Sequence, residues 1–222
     1  MGGGALERTL RRGAGAPGLR LIETIAWDGV AFGRLDLHLA RLAGSAVSLG
    51  WRYDLAAVRV ALVAAVAKDP ARVRLTVDAA GELEVTVAAM PATATQWRVG
   101  LAKGCLSSND PWLSVKSTHR AVYDTARATL PPGMDEVIFQ NERGEVCDGS
   151  ITTVFFDAGD GLCTPPLACG LLPGVLRAQM LATATARETL LHAADLGHVQ
   201  LWVGNSLRGL IPAFFTGADR LT

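Results

Sequence analysis

The hydrophobic period changes once in the first half of the chain, and no single regular element accommodates both patterns. Leu35, Leu39, Leu42, Ala46 and Leu49 recur at steps of four and three, one apolar face of a helix that stops at Gly50. Leu55, Val58, Leu62 and Val66 continue that spacing in a second helix ending near Lys68-Asp69-Pro70. From Arg72 onward the period is two. Val73, Leu75 and Val77 alternate with polar residues, as do Leu83, Val85 and Val87, around a turn at 78–81. Leu19 to Ile25 reads as an earlier strand, and Asp28-Gly29 as a hairpin turn returning through Val30 to Phe32. This half is a sheet with two helices against it.

The run Gly104 to Trp112 loses periodicity and gathers turn formers, which places a domain boundary there: residues 19–106 before it and 107–222 after it. Residues 1–18, Gly-rich at the start, read as a flexible lead-in. The second half is mainly strands. Asp135 to Gln140 leads into a turn at 141–144, followed by Val146-Cys147 and Thr153 to Phe156; a helix starts near Gly174, and Gln200 to Val203 is a last strand.

Composition limits the partners. Lys and Arg number 21 against 21 Asp and Glu, so no net field gathers phosphates, and neither nucleic acid nor an anionic membrane is expected as a partner. Any bound anion must be held by local geometry. Half of the residues are apolar, enough to bury a core, yet the strongest apolar stretch, 60–67, is far shorter than the ~20 residues a membrane span needs. Arg8, Arg11 and Arg12 are not followed by an apolar run with a small-residue cleavage site, so no secretory signal is read. Cys105, Cys147, Cys163 and Cys169 show neither Cys-x-x-Cys pairing nor His at zinc-ligand spacing. Free thiols, no metal and a cytoplasmic location are the expectations.

Several residues could carry chemistry. His38, Arg41 and Ser45 form a second stripe on the first long helix, where an Arg is a two-pronged clamp for phosphate or carboxylate. An ion-paired surface Arg is the competing reading. Lys116 lies among apolar and hydroxyl residues with no acidic neighbour, a setting that favours the neutral amine; a solvated Lys would look the same locally. Asp148 ends a strand, and a carboxylate buried there needs a cationic or proton-bearing partner, whereas a turn Asp would bond its own backbone. Gly174-Val175-Leu176-Arg177 opens a helix whose first amides can bind phosphate without any net protein charge.

The ordered set of these pieces is more specific than any one of them. Glu23-Thr24, His38-x-x-Arg41-Leu42-x-x-Ser45, Lys116-Ser117-Thr118-His119-Arg120-x-x-Tyr123, Asn141-x-x-Gly144-x-Val146-x-Asp148-Gly149-Ser150, Thr164-Pro165-Pro166-Leu167-x-x-Gly170-Leu171-Leu172-Pro173-Gly174 and Asn205-Ser206 follow one another over residues 19–212. The chain thereby resembles the class IV aminotransferases, the fold-type IV pyridoxal-phosphate enzymes. The Thr164 to Gly174 string is most similar to the aminodeoxychorismate lyase branch of that family.

The resemblance implies an α/β (α+β) fold of two domains, an N-terminal α/β sandwich and a C-terminal α/β pseudo-barrel, with pyridoxal 5'-phosphate as cofactor. By the same resemblance Lys116 joins the cofactor covalently and shuttles protons. Arg41 clamps its phosphate together with the amides of Val175 and Leu176 and with Asn205 and Ser206, and Asp148 pairs with the pyridine nitrogen. Thr24 is a candidate to protonate or orient a leaving group. A small amino substrate and a homodimer are implied as well. Asp148 departs from the family's usual Glu, and Thr153 from its common Asn. Full-length relatives carry two more strands before the Glu-Thr piece, and the short start here leans toward the lyase branch. Three readings follow: a lyase giving 4-aminobenzoate and pyruvate in folate biosynthesis, an amino-acid transaminase of the branched-chain or D-amino-acid type, and a homologue without catalysis.

Overall fold

A computed structural model describes residues 4–217, which divide into two compact units: residues up to 92 with 111–119, and residues 93–110 with 120 onward. Relative to a single cut after residue 106, the strand that contains residue 106 belongs with the second unit, and the segment carrying Lys116 belongs with the first.

In the first unit, β1 (Arg20–Trp27), β2 (Ala71–Asp78) and β3 (Leu83–Ala89) form an antiparallel sheet in that order. Strand alternation turns Leu21, Ile25, Val73, Leu75 and Val77 into a buried layer. Against it pack Leu39, Leu42, Ala46 and Leu49 of α2 (Leu35–Leu49) and Val58 and Leu62 of α3 (Leu55–Ala65). Gly50, left-handed at φ 73°, closes α2, and the Asp54 carboxylate accepts from the Ala56 and Ala57 amides to start α3. Residues 116–118 run beside β1: the Ile22 amide donates to the Lys116 carbonyl at 2.8 Å, and the Thr118 amide to the Arg20 carbonyl at 2.9 Å.

Two expectations need correction here. The lead-in is not wholly flexible, because α1 (Ala5–Gly13) lies within it and buries Leu10, followed by a buried Ala14, in the same core; the Trp51 indole also donates to the Ala14 carbonyl. The first three residues of that lead-in lie outside the described residues. The return strand from Val30 to Phe32 reduces to one bridge, Trp27 to Phe32, since the Asp28 side chain accepts from the Val30 and Ala31 amides and curls the chain there.

The second unit holds β4 (Trp97–Leu106), α4 (Ala121–Ala128), β5 (Glu136–Asn141), β6 (Val146–Gly149), β7 (Thr153–Asp157), β8 (Leu162–Thr164), α5 (Val175–Ala182), β9 (Arg187–Glu188), β10 (Gln200–Asn205) and β11 (Gly209–Phe215). Six strands close into a ring, β10-β11-β4-β5-β6-β7, because β10 pairs with β7 as well as with β11. Ring closure leaves β10 without a free edge, while β8 and β9 continue the sheet from β7. Val99, Ile138, Val146, Val154, Val203 and Ile211 fill one core, while Phe155 packs with Leu176 and Met180 of α5 in another. The α/β two-domain architecture with a barrel-like second sheet is the one that the family resemblance implies.

Candidate active site

The first unit contributes a buried polar cluster. The alternation that points Leu21 and Ile25 into the core points Glu23 there too, at 1% exposure. A carboxylate in an apolar layer needs partners, and α2 supplies two at helical spacing i, i+3. His38 Nδ1 lies 2.6 Å from Glu23 Oε2; Arg41 donates Nε to Oε1 at 2.9 Å and Nη2 to Oε2 at 2.6 Å. Burial pushes the Glu23 carboxyl up, but the Arg41 charge and the bonds from His38 and Arg41 overcome it and hold the carboxyl below its ordinary value. The neighbours of Glu23 in the chain assign it no role. Its signal was present all the same: an acid at an inward position of an alternating strand.

Lys116 is half-buried in the same unit, its backbone fixed against β1 by the Ile22 amide. Thr24 is also half-buried, and the sheet register pairs it with Arg74.

The second unit gathers the remaining residues around Thr153. Asp148 pairs with Thr153 across the β6–β7 ladder, and Thr153 pairs in turn with Gly204 of β10. Gly174, the N-cap of α5, approaches so closely that a Cβ there would lie 2.6 Å from Thr153 Oγ1; a Cβ on Gly204 would lie 3.0 Å from Leu176 Cδ2. Asp148, the start of α5 and the end of β10 therefore share one wall. Asp148 is 5% exposed, and its Oδ2 accepts the Leu172 amide at a long 3.4 Å. Burial and then the Asp148 charge push the nearby Tyr123 phenol well above its ordinary value. Gly174 has no side chain to cap α5, so the first-turn amides of Val175 and Leu176 lie beyond any intrahelical bond.

Asn205 and Ser206 stand differently from each other. The Asn205 carbonyl oxygen accepts from the Leu207 and Arg208 amides, and Nδ2 donates to the Ile151 carbonyl at 3.1 Å, so this side chain shapes the β10–β11 turn that presents Ser206. Arg177 is 4% exposed and bonded to the Pro165 carbonyl and to Glu188, which ties it into the fold. Arg120 is anchored by Asp124 and by the Ser150 carbonyl.

The model of amino-transferase class IV matches residues 20–213, nearly the whole described chain. The chain belongs to the amino-transferase class IV family. Among relatives of this family, the "Putative aminodeoxychorismate lyase" of Schizosaccharomyces pombe is 31% identical over 178 residues, covering 76% of this chain and 75% of that protein. A solved "Putative amino-acid aminotransferase" from Mesorhizobium loti is 43% identical with a TM-score of 0.85, covering 89% of this chain and all of that one. A hypothetical aminotransferase from Mycobacterium tuberculosis, solved in a form bound to pyridoxal phosphate, is 26% identical at a TM-score of 0.76, covering 92% and 84%. The expected family and enzyme class thus agree with the comparisons. Among the described residues no helix is long and apolar enough to cross a membrane.

Proposed function

We propose that this family member is a pyridoxal-phosphate-dependent 4-amino-4-deoxychorismate lyase, yielding 4-aminobenzoate and pyruvate as a step of folate biosynthesis. The observation that carries the choice of reaction is the 31% identity to the fission-yeast protein of that name, in a chain whose Thr164 to Gly174 string is most similar to the same branch. The side chains suit this cofactor by their chemistry. A half-buried Lys116 suits its aldehyde, a buried Asp148 carboxylate its ring nitrogen, and Arg41 with an uncapped helix start its phosphate.

When bound, pyridoxal phosphate supplies a carbonyl for the substrate amine and a ring that accepts an electron pair. Lys116 Nζ, as a neutral amine, would be the base that takes the proton from the substrate's ring carbon. Asp148 would hold the pyridine nitrogen and keep a positive charge there favourable. The bond from the ring carbon to the enolpyruvyl oxygen would break, and the proton held on Lys116 would pass to the leaving enolpyruvate, with the Thr24 hydroxyl relaying or guiding it. No water is consumed, and formation of the aromatic ring makes the step effectively irreversible. The protein acts as a homodimer in the cytoplasm.

The second reading, an amino-acid transaminase in which Lys116 moves a proton between two carbons, is favoured by the 43% identity to the Mesorhizobium protein. Purified protein loaded with pyridoxal phosphate and given aminodeoxychorismate separates the two. The lyase releases 4-aminobenzoate and pyruvate one to one, and Lys116→Ala releases neither. Turnover that forms an amino acid from an added keto acid, without pyruvate, overturns the lyase. Absence of yellow colour after loading, with no cofactor fixed on Lys116 by borohydride, overturns both readings. Sedimentation as a monomer alone counts against the dimer.

A further inference from the structure

We infer that Glu23 is a positioning residue for phosphate binding: its carboxylate, braced by His38, holds the Arg41 guanidinium in the orientation that receives the anion. The inference rests on the reading of Arg41 as the phosphate clamp. Glu23 takes Arg41 by two adjacent N–H groups, Nε and Nη2, on its two oxygens, a fork that fixes the plane of the guanidinium as well as its distance. His38 Nδ1 lies 2.6 Å from Oε2, a second hold on the carboxylate beside that of Arg41. Glu23 and His38 are each at 1% exposure, whereas Arg41 is at 10%, which makes Arg41 the member of the cluster that reaches the surface.

Packing alone does not call for this arrangement. Apolar side chains at positions 23, 38 and 41 together would complete the layer of Leu21 and Ile25 without burying charge, and replacing a whole buried ionic cluster in this way is commonly neutral or stabilising. What the carboxylate adds is orientation. A long side chain that must be ordered when its ligand arrives weakens binding, and one already ordered does not. The cluster thus pre-orders Arg41 before any anion is present.

The test compares pyridoxal phosphate with pyridoxal, which lacks the phosphate, by absorbance titration of wild type, Glu23→Gln, Arg41→Ala and the double variant, with urea midpoints measured in parallel. Glu23→Gln should lower pyridoxal phosphate affinity roughly tenfold, leave pyridoxal affinity within about twofold, and add little in the Arg41→Ala background. A folded Glu23→Gln protein with an unchanged ratio of the two affinities overturns the inference, as does a parallel loss of both affinities with the urea midpoint. If the Gln variant does not fold, Glu23→Asp, which keeps the charge and shortens the reach, is read on the same ratio and is expected to lower it. When Arg41→Ala moves the ratio and neither Glu23 variant does, only the positioning role fails. When Arg41→Ala leaves the ratio unchanged, the clamp assignment fails and takes this inference with it.

Discussion

Gly174 rests against Thr153 so closely that a Cβ on the glycine would fall 2.6 Å from the threonine Oγ1. This contact sets the start of α5 on the strand that neighbours Asp148. Gly174→Ala should therefore lower stability by about 1–3 kcal/mol, because Thr153 is β-branched and buried and has little room to turn away. Urea denaturation checks the size of the loss. The double variant with Thr153→Ala should regain most of it; no recovery would mean that the strain lies elsewhere.

Glu136 is fully buried and accepts from the Val137, Ser150 and Ile151 amides and from the Ser150 and Thr152 hydroxyls. It fastens the loop that joins β6 to β7, immediately after Asp148. Truncation to Ala leaves several buried donors unmet at once, so Glu136→Ala should cost about 3–5 kcal/mol. A denaturation midpoint close to wild type would refute this account of the loop.

Two acids of the turn after β5, Glu142 and Glu145, contribute to an acid limit on the second unit. Bonds from the Ser108 hydroxyl and amide hold Glu142 down at about 2, and the Arg143 side chain followed by Asn141 holds Glu145 down at about 2, each from an ordinary 4.5. A carboxyl whose pKa is lower in the folded state stabilises the fold above its unfolded value, and that contribution fades as pH falls from about 4.5 toward 2. Melting temperature should fall through that window. The slope should be shallower in Glu142→Gln, and equal slopes in the two proteins would exclude the contribution of Glu142.

Asp148→Asn keeps the shape and removes the charge. With pyridoxal phosphate bound, turnover should fall roughly 10- to 100-fold, because a neutral amide no longer favours a protonated ring nitrogen. The colour of the loaded protein should persist, since Lys116 is untouched. Wild-type turnover in this variant would remove Asp148 from the chemistry.

Much of the fold is legible where one face alone is buried. The stripe from Leu35 to Leu49 and the alternation from Val73 to Val87 match α2, β2 and β3, because each of these elements packs one side against a single core. Legibility fails for several elements of the second unit, β4, β11 and α4 among them. β4 carries Gly100 and Gly104, which erase its alternation, and β11 contains Pro212, a residue that argues against a strand. α4 buries none of its residues, so it has no apolar stripe to read.

The site divides along the same line. The sequence by itself determined the residue types and their order: Lys116, Asp148, the helix start after Pro173 and the Asn205-Ser206 turn are local features, each legible within a few residues. Tertiary structure alone decided their partners. Glu23 meets His38 and Arg41 only when β1 lies on α2, and Thr153 joins Asp148, Gly174 and Gly204 only when β10 returns to close the ring. It also withdrew Arg177 into the fold and gave the Asn205 side chain to its own turn. The physical reason is that periodicity records which side of an element is buried, whereas a hydrogen bond between elements depends on register and closure, and these are fixed by contacts far apart in the chain.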